Sequence, residues 1–274
     1  MSDAHPSSDR AAPAPPSRAD ASPSALVLTG ERTLPGVADE NYWFQRHVAA
    51  YDLAAALVRD LPARAVLDAG CGEGYGLALL ADAGAARVVG VDLDATVVAH
   101  ARTTYADADP RIEVHAAELM SLPLADDEVD LTVSFQVIEH LYDIPGYLRS
   151  LRRVTRPGGM VVIATPNRLT FTPGSDVPVN PFHTREFTAV ELAEELGGVG
   201  LPVDRMLGLR HGVRLQEVEA DAERRLPDLL ADPPSDWPDW LRATVHAVAP
   251  DWFTLDAHDL DASLDLIAIC TVPG

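Results

Sequence analysis

The chain has 274 residues, 47% hydrophobic and 23% charged, the balance of an ordinary soluble globule with room for one large domain and a small cap. Its formal net charge of −21 repels phosphate backbones and anionic lipid heads, which argues against nucleic acid or a membrane surface as partner. No apolar run reaches the roughly 18 residues of a membrane span. The first residues have neither the basic nor the apolar region of a secretory signal, and Cys71 and Cys270 make no disulfide framework or zinc set, so a cytoplasmic protein is expected.

Residues 1–25 (…APAPPSRADASPS…) hold too few large apolar groups to repay ordering and read as a disordered tail. Residues 26–59 read as an N-terminal lid and helix: a polar-aromatic stretch to His47, then a helix from Val48 to Arg59. From residue 60 to 274 the chain reads as one α/β domain. Within it, RAVLDAG, RVVGVDLD, RIEVHAAE, VDLTVSFQVI and MVVIATPN are apolar runs, the first four separated by turn and helix patterns. Strands alternating with helices predict a parallel sheet with helices on both faces. Thr188 with Glu191 three residues on marks a further helix start. Val203–Leu209 and Ser263–Val272 read as strands six and seven. Residues 213–262 between them, with Trp237, Trp240 and Trp252, are a helical cap for acceptor or dimer contact.

The chemistry concentrates at strand ends. In VLDAGCGEGYG (Val66–Gly76), Gly70, Gly72 and Gly74 let the backbone turn tightly and approach a ligand. The spacing departs from a dinucleotide fingerprint, whose last glycine would fall on Tyr75. Asp68 instead stands at the strand end, where an acid suits an ammonium better than a pyrophosphate. Asp92 ends the second strand and is placed to accept a ribose diol. Glu118 with Leu119 follows the third strand, and Gln136 ends the fourth over the same cleft.

These motifs, with AELMSLPLADDEVD, SFQVIEHL and RPGGMVVIATPN in the same order, resemble the class I S-adenosylmethionine-dependent methyltransferases over residues 60–200. The resemblance implies a Rossmann-like seven-stranded sheet and S-adenosylmethionine as cofactor. It implies that Asp68, Gly70, Cys71 and Gly72 hold the methionine part, Asp92 and Leu93 the ribose, and Glu118 and Leu119 the adenine. Gln136 is expected beside them, and Arg46 is expected to reach the cofactor carboxylate or close the lid.

A hydroxyl acceptor needs a base near the transferred methyl. The candidates are Glu139 and His140, then His183 in NPFHTREF; His140 follows Gln136 closely enough to face the same cleft. Whether His140, His183 or neither takes the proton stays open in the sequence. Asp143, Asn167 and His183 form a candidate metal cluster that no ligand spacing demands. LTGERTLPGVADENYWFQRH, VNPFHTREF and DASLDLIAICTVP resemble mycobacterial sugar O-methyltransferases of methylmannose polysaccharide synthesis. This narrower resemblance implies the 1-OH of short 3-O-methylated mannosides as acceptor, a small neutral oligosaccharide. It also implies stimulation by Mg2+ and a homodimer. Another small-molecule acceptor, such as a polyketide or quinone phenol, and a non-catalytic cofactor-binding module are the alternatives.

Overall fold

The computed structural model describes residues 33–61 and 64–274, so the expected tail over 1–25 and the first part of the lid lie outside the described residues. Helix α1 (Asn41–Asp60) starts earlier than the expected Val48. The reason is tertiary: the Asn41 amide donates to the Val245 and Val248 carbonyls, and Tyr42 is buried, which turns the aromatic segment into helix. After it come β1 (Ala65–Ala69), α2 (Tyr75–Asp82), β2 (Arg87–Asp92), α3 (Ala95–Ala101), β3 (Ile112–Ala116) and β4 (Val129–Phe135). Then follow α4 (Ile144–Val154), β5 (Thr155–Pro166), α5 (Arg168–Phe171), α6 (Ala189–Gly198) and β6 (Val203–His211). The chain finishes with α7 (Val213–Ala222), α8 (Leu226–Leu229), α9 (Asp239–Ala247), β7 (Phe253–Asp256) and β8 (Asp265–Thr271). Thr188 and Glu191 form the capping box that their spacing predicts at the start of α6.

Among the described residues the sheet has eight strands, in the order β3-β2-β1-β4-β5-β8-β6-β7. Strands β3 to β5 are parallel, and β4 is buried along its whole length because helices cover both faces. The five strands that alternate with helices are parallel as expected, and the Rossmann-like α/β fold is the one found; the seven-stranded count is corrected to eight, the remaining strands being antiparallel to their neighbours at one side. Strand β8 runs antiparallel between β5 and β6, and the short β7 pairs antiparallel with β6 at the edge. Only Phe253 of β7 is buried, so the strand has almost no apolar alternation for a sequence reading to find.

One face of the sheet packs on α1, α2 and α3 through Val58, Leu77, Leu80 and Val98, the other on α4 and α6 through Tyr147, Leu148, Leu151 and Leu192. A third, smaller core joins the far side of α1 to the 213–262 segment, with Tyr42 and Ala49 against Leu215, Leu226, Trp237, Leu241 and Val245. Helix α1 is thus apolar on two sides. The insertion is docked on the main body through α1, and Trp237 serves that core rather than a ligand surface. No helix among the described residues is long and apolar enough to cross a membrane.

Candidate active site

The ends of β1, β2 and β4 open onto a cavity of about 410 Å3. Its wall includes Gly70, Cys71, Gly72, Asp92, Leu93, Glu118, Leu119, Gln136 and His140, so the structure gathers nearly all the strand-end residues singled out above. Gly70 has φ +87, and a Cβ there would strike Val137. Glycine is therefore required by both conformation and space. Each Asp92 oxygen accepts a backbone N–H, Oδ2 from Gly72 and Oδ1 from Asp94, both at 3.0 Å. The carboxylate is held still and keeps lone pairs for two further donors, such as a vicinal diol.

Asp68 is fully buried at the end of β1. Tyr51 of α1, which the sequence reading missed, donates its hydroxyl to Oδ2 at 2.9 Å, whereas Oδ1 has no hydrogen-bond partner among the described residues. Burial pushes the Asp68 carboxyl up to about 7; the Tyr51 hydrogen bond opposes this and Asp92 adds to it. A buried, half-satisfied acid beside a glycine turn fits a ligand ammonium, which would supply the missing donor and the compensating charge.

A second cavity, about 330 Å3, adjoins the first. Thr33, His47, Gln136 and His140 line both, and the second adds Trp43, Arg46, Glu139, Phe171, Asn180, His183 and Asp265. At the boundary Gln136 has φ +55, a left-handed conformation unusual for a side chain of its size. The conformation is fixed by its N–H donating to the Ala164 carbonyl and its side-chain amide donating to Asp265. Backbone strain at a cavity junction is characteristic of functional positions.

The His140 ring lies within hydrogen-bond distance of the Phe182 carbonyl through Nδ1, at 3.1 Å. A carbonyl only accepts, so Nδ1 carries the proton and Nε2 is the basic nitrogen of the neutral ring. Glu139 is buried and accepts the Thr165 hydroxyl at 2.9 Å. His183 pairs through Nδ1 with buried Glu186 at 2.8 Å, and its ring centroid is 5.0 Å from that of His140. His47 is driven down to about 4 by burial, against the pull of Asp265 and with Arg46 assisting, so it is a neutral hydrogen-bonding group and a poor base.

Arg46 lines the second cavity and not the first; its Nε and NH2 grip the Asp265 carboxylate at 2.6 and 2.5 Å, and NH2 also donates to the Leu264 carbonyl. Asp265 lay in an apolar strand pattern and gave no sign of being an ion-pair partner. The Asp143–Asn167–His183 cluster does not form as a metal set. Asp143 caps α4 through the Gly146 N–H, and the buried Asn167 amide is spent on the Leu260, Asp261 and Ser263 carbonyls. Those loop contacts span about a third of the chain, which no local spacing signals. His183 is grouped instead with Glu139 and His140.

Residues 67–163 match the family model described as a methyltransferase domain. A probable S-adenosylmethionine-dependent methyltransferase of Mycolicibacterium smegmatis is 48% identical over 262 residues, covering 93% of this chain and 98% of that one. A probable S-adenosylmethionine-dependent methyltransferase of Mycobacterium tuberculosis is 47% identical, covering 94% of both chains. Among solved structures, the cyclase SpnF superposes with a TM-score of 0.58 at 20% identity, covering 86% of this chain and 85% of that one, a likeness of fold alone.

Proposed function

The chain belongs to the S-adenosylmethionine-dependent methyltransferases, and from that premise we propose that it methylates a hydroxyl of a small neutral sugar, the 1-OH of a short 3-O-methylated mannoside. The observation that carries this reading is the pair of cavities sharing Gln136 and His140 as a common wall. When bound in the first, S-adenosylmethionine supplies an electrophilic methyl on a sulfonium. Asp68 takes the ammonium on its unpartnered Oδ1, Asp92 the ribose diol, and the Glu118–Leu119 turn the adenine.

The second cavity supports a sugar acceptor by its mixture of groups. Trp43 and Phe171 offer apolar faces, while Gln136, Asn180, His140 and His183 offer hydrogen bonds at its wall. Its volume suits one or two sugar rings. Methyl transfer asks mainly for alignment. Beyond that, the acceptor hydroxyl must lose a proton, and His140 Nε2 takes it at the junction. The Phe182 carbonyl fixes the ring's tautomer and stabilises the imidazolium as it forms.

Magnesium fits the described residues poorly. It prefers oxygen ligands in near-octahedral array, whereas the cluster at the junction offers two imidazoles and one carboxylate. No step is assigned to it.

The reading is tested with an acceptor panel and a methyl-labelled donor. Label should enter 3-O-methylated mannobiose and related neutral mannosides in preference to phenols. Label in phenols alone would move the acceptor to another class of small molecule, and tight binding of S-adenosylhomocysteine with no turnover on either would leave only a binding module.

A further inference from the structure

Glu139, His140 and His183 each bring one metal-ligating atom to a common centre, all three atoms lying within 4.8 Å of one another. Ligand distances of about 2.0–2.2 Å place neighbouring donors roughly 3–3.5 Å apart, so modest side-chain rotation closes the set on an ion. The surroundings are built as metal sites are built. Each histidine gives its Nδ1 proton to an oxygen, His140 to the Phe182 carbonyl at 3.1 Å and His183 to Glu186 at 2.8 Å, so Nε2 carries the lone pair; on His183 that nitrogen accepts the Asn180 side-chain amide at 3.1 Å, a hydrogen bond that an ion would displace. Metal-bound histidines are characteristically oriented in this way, the second nitrogen tied to a carbonyl or carboxylate. Glu139 is oriented by Thr165, and Glu186 is itself almost wholly buried with its Oε2 unpartnered, so that its charge is directed into the His183 ring.

We infer that Glu139, His140 and His183 form a binding site for a divalent cation of the imidazole-seeking class, such as Zn2+, Co2+ or Ni2+, at the junction of the two cavities. Two nitrogens and one carboxylate with positions left open is a donor set for those ions rather than for magnesium or calcium. The inference rests on the reading of His140 as the acceptor's base, because ion and proton compete for the same Nε2 lone pair. An ion held there removes the base. Turnover should therefore fall in proportion to occupancy, making the site a means by which free transition metal restrains methyl transfer.

The test uses the untagged full chain, stripped with chelator and titrated with Zn2+ by calorimetry and with Co2+ by visible absorption. The expected result is one ion per chain, with Co2+ d–d bands showing nitrogen coordination. His183→Ala and Glu139→Gln should weaken Zn2+ at least 100-fold. Glu186→Gln, which leaves all three ligands in place, should weaken it roughly 10- to 100-fold. Circular dichroism and melting curves identify any variant that has failed to fold, and Glu186→Gln then carries the argument. Millimolar Mg2+ should not displace Co2+. Absence of saturable Zn2+ binding, or equal affinity in wild type and His183→Ala, overturns the site. Activity is read separately on the same samples. A fall in turnover that tracks occupancy supports the competition, whereas a rise keeps the site but ends the assignment of His140 as base.

Discussion

Asp68 is fully buried behind the glycine turn and lines neither cavity; among the described residues it has a hydroxyl on one oxygen and no partner on the other, and a pH dependence follows from that. Its carboxyl titrates near 7 because burial disfavours the charge, well above the value of about 3.9 in an unfolded chain. In the free protein the folded state therefore holds the extra proton between those values. The stability it contributes is full below about 4 and is lost as pH rises through 7. Cofactor binding has the opposite sense. An ammonium needs the ionised acid, so binding below pH 7 must expel a proton, and affinity should fall about tenfold per pH unit on the acid side. Calorimetry at pH 6 in two buffers of different ionisation enthalpy should report close to one proton released per S-adenosylmethionine bound. Zero release, or an affinity flat from pH 5.5 to 7.5, would mean that the ammonium lies elsewhere.

Among the elements, α1 ties the others together, and Arg46 is its strongest tie. It pairs with Asp265 at the start of β8, both side chains almost wholly buried, and Asp265 in turn receives the Gln136 amide at the end of β4. Removing one partner of such a pair strands a buried charge, at a cost of about 3–5 kcal/mol. Arg46→Ala should therefore lower the melting temperature sharply, and the double variant Arg46→Met with Asp265→Leu should recover most of the loss. A thermal melt of Arg46→Ala matching wild type would return the residue to a ligand-binding role. The same element shows how far the sequence could be read. The glycine turn, Asp92 and the Glu118–Leu119 turn were legible because a strand end followed by a tight turn carries its own local signature. Asp265 and Tyr51 were not, since one sits in an apolar strand and the other in an Ala-rich helix, and each acquires its role only from a partner on another element. The early start of α1, before Val48, is not legible for the same reason: Tyr42 and Asn41 are held by the 213–262 segment, far along the chain.

At the scale of the whole molecule, the field of a chain with net charge −21 acts on whatever approaches the paired cavities. A neutral mannoside should show a Michaelis constant insensitive to salt. A mannose phosphate should be a poor acceptor at low ionic strength and improve as salt shortens the Debye length from about 30 Å at 0.01 M to about 8 Å at 0.15 M. Salt dependence with the neutral acceptor would mean that salt acts on the charged groups of the protein's own site and not on the approach of the acceptor.

In the proposed reaction, methyl donor and acceptor meet across the wall made by Gln136 and His140, with His140 taking the acceptor's proton. Its most direct test is the single-turnover rate of His140→Ala with cofactor saturating, measured beside the calorimetric affinity for S-adenosylmethionine. Loss of a general base predicts a rate lower by roughly 10²–10⁴-fold with cofactor affinity nearly unchanged, because the ring acts only on the acceptor. A rate within a few-fold of wild type, or a parallel collapse of cofactor affinity, would contradict it.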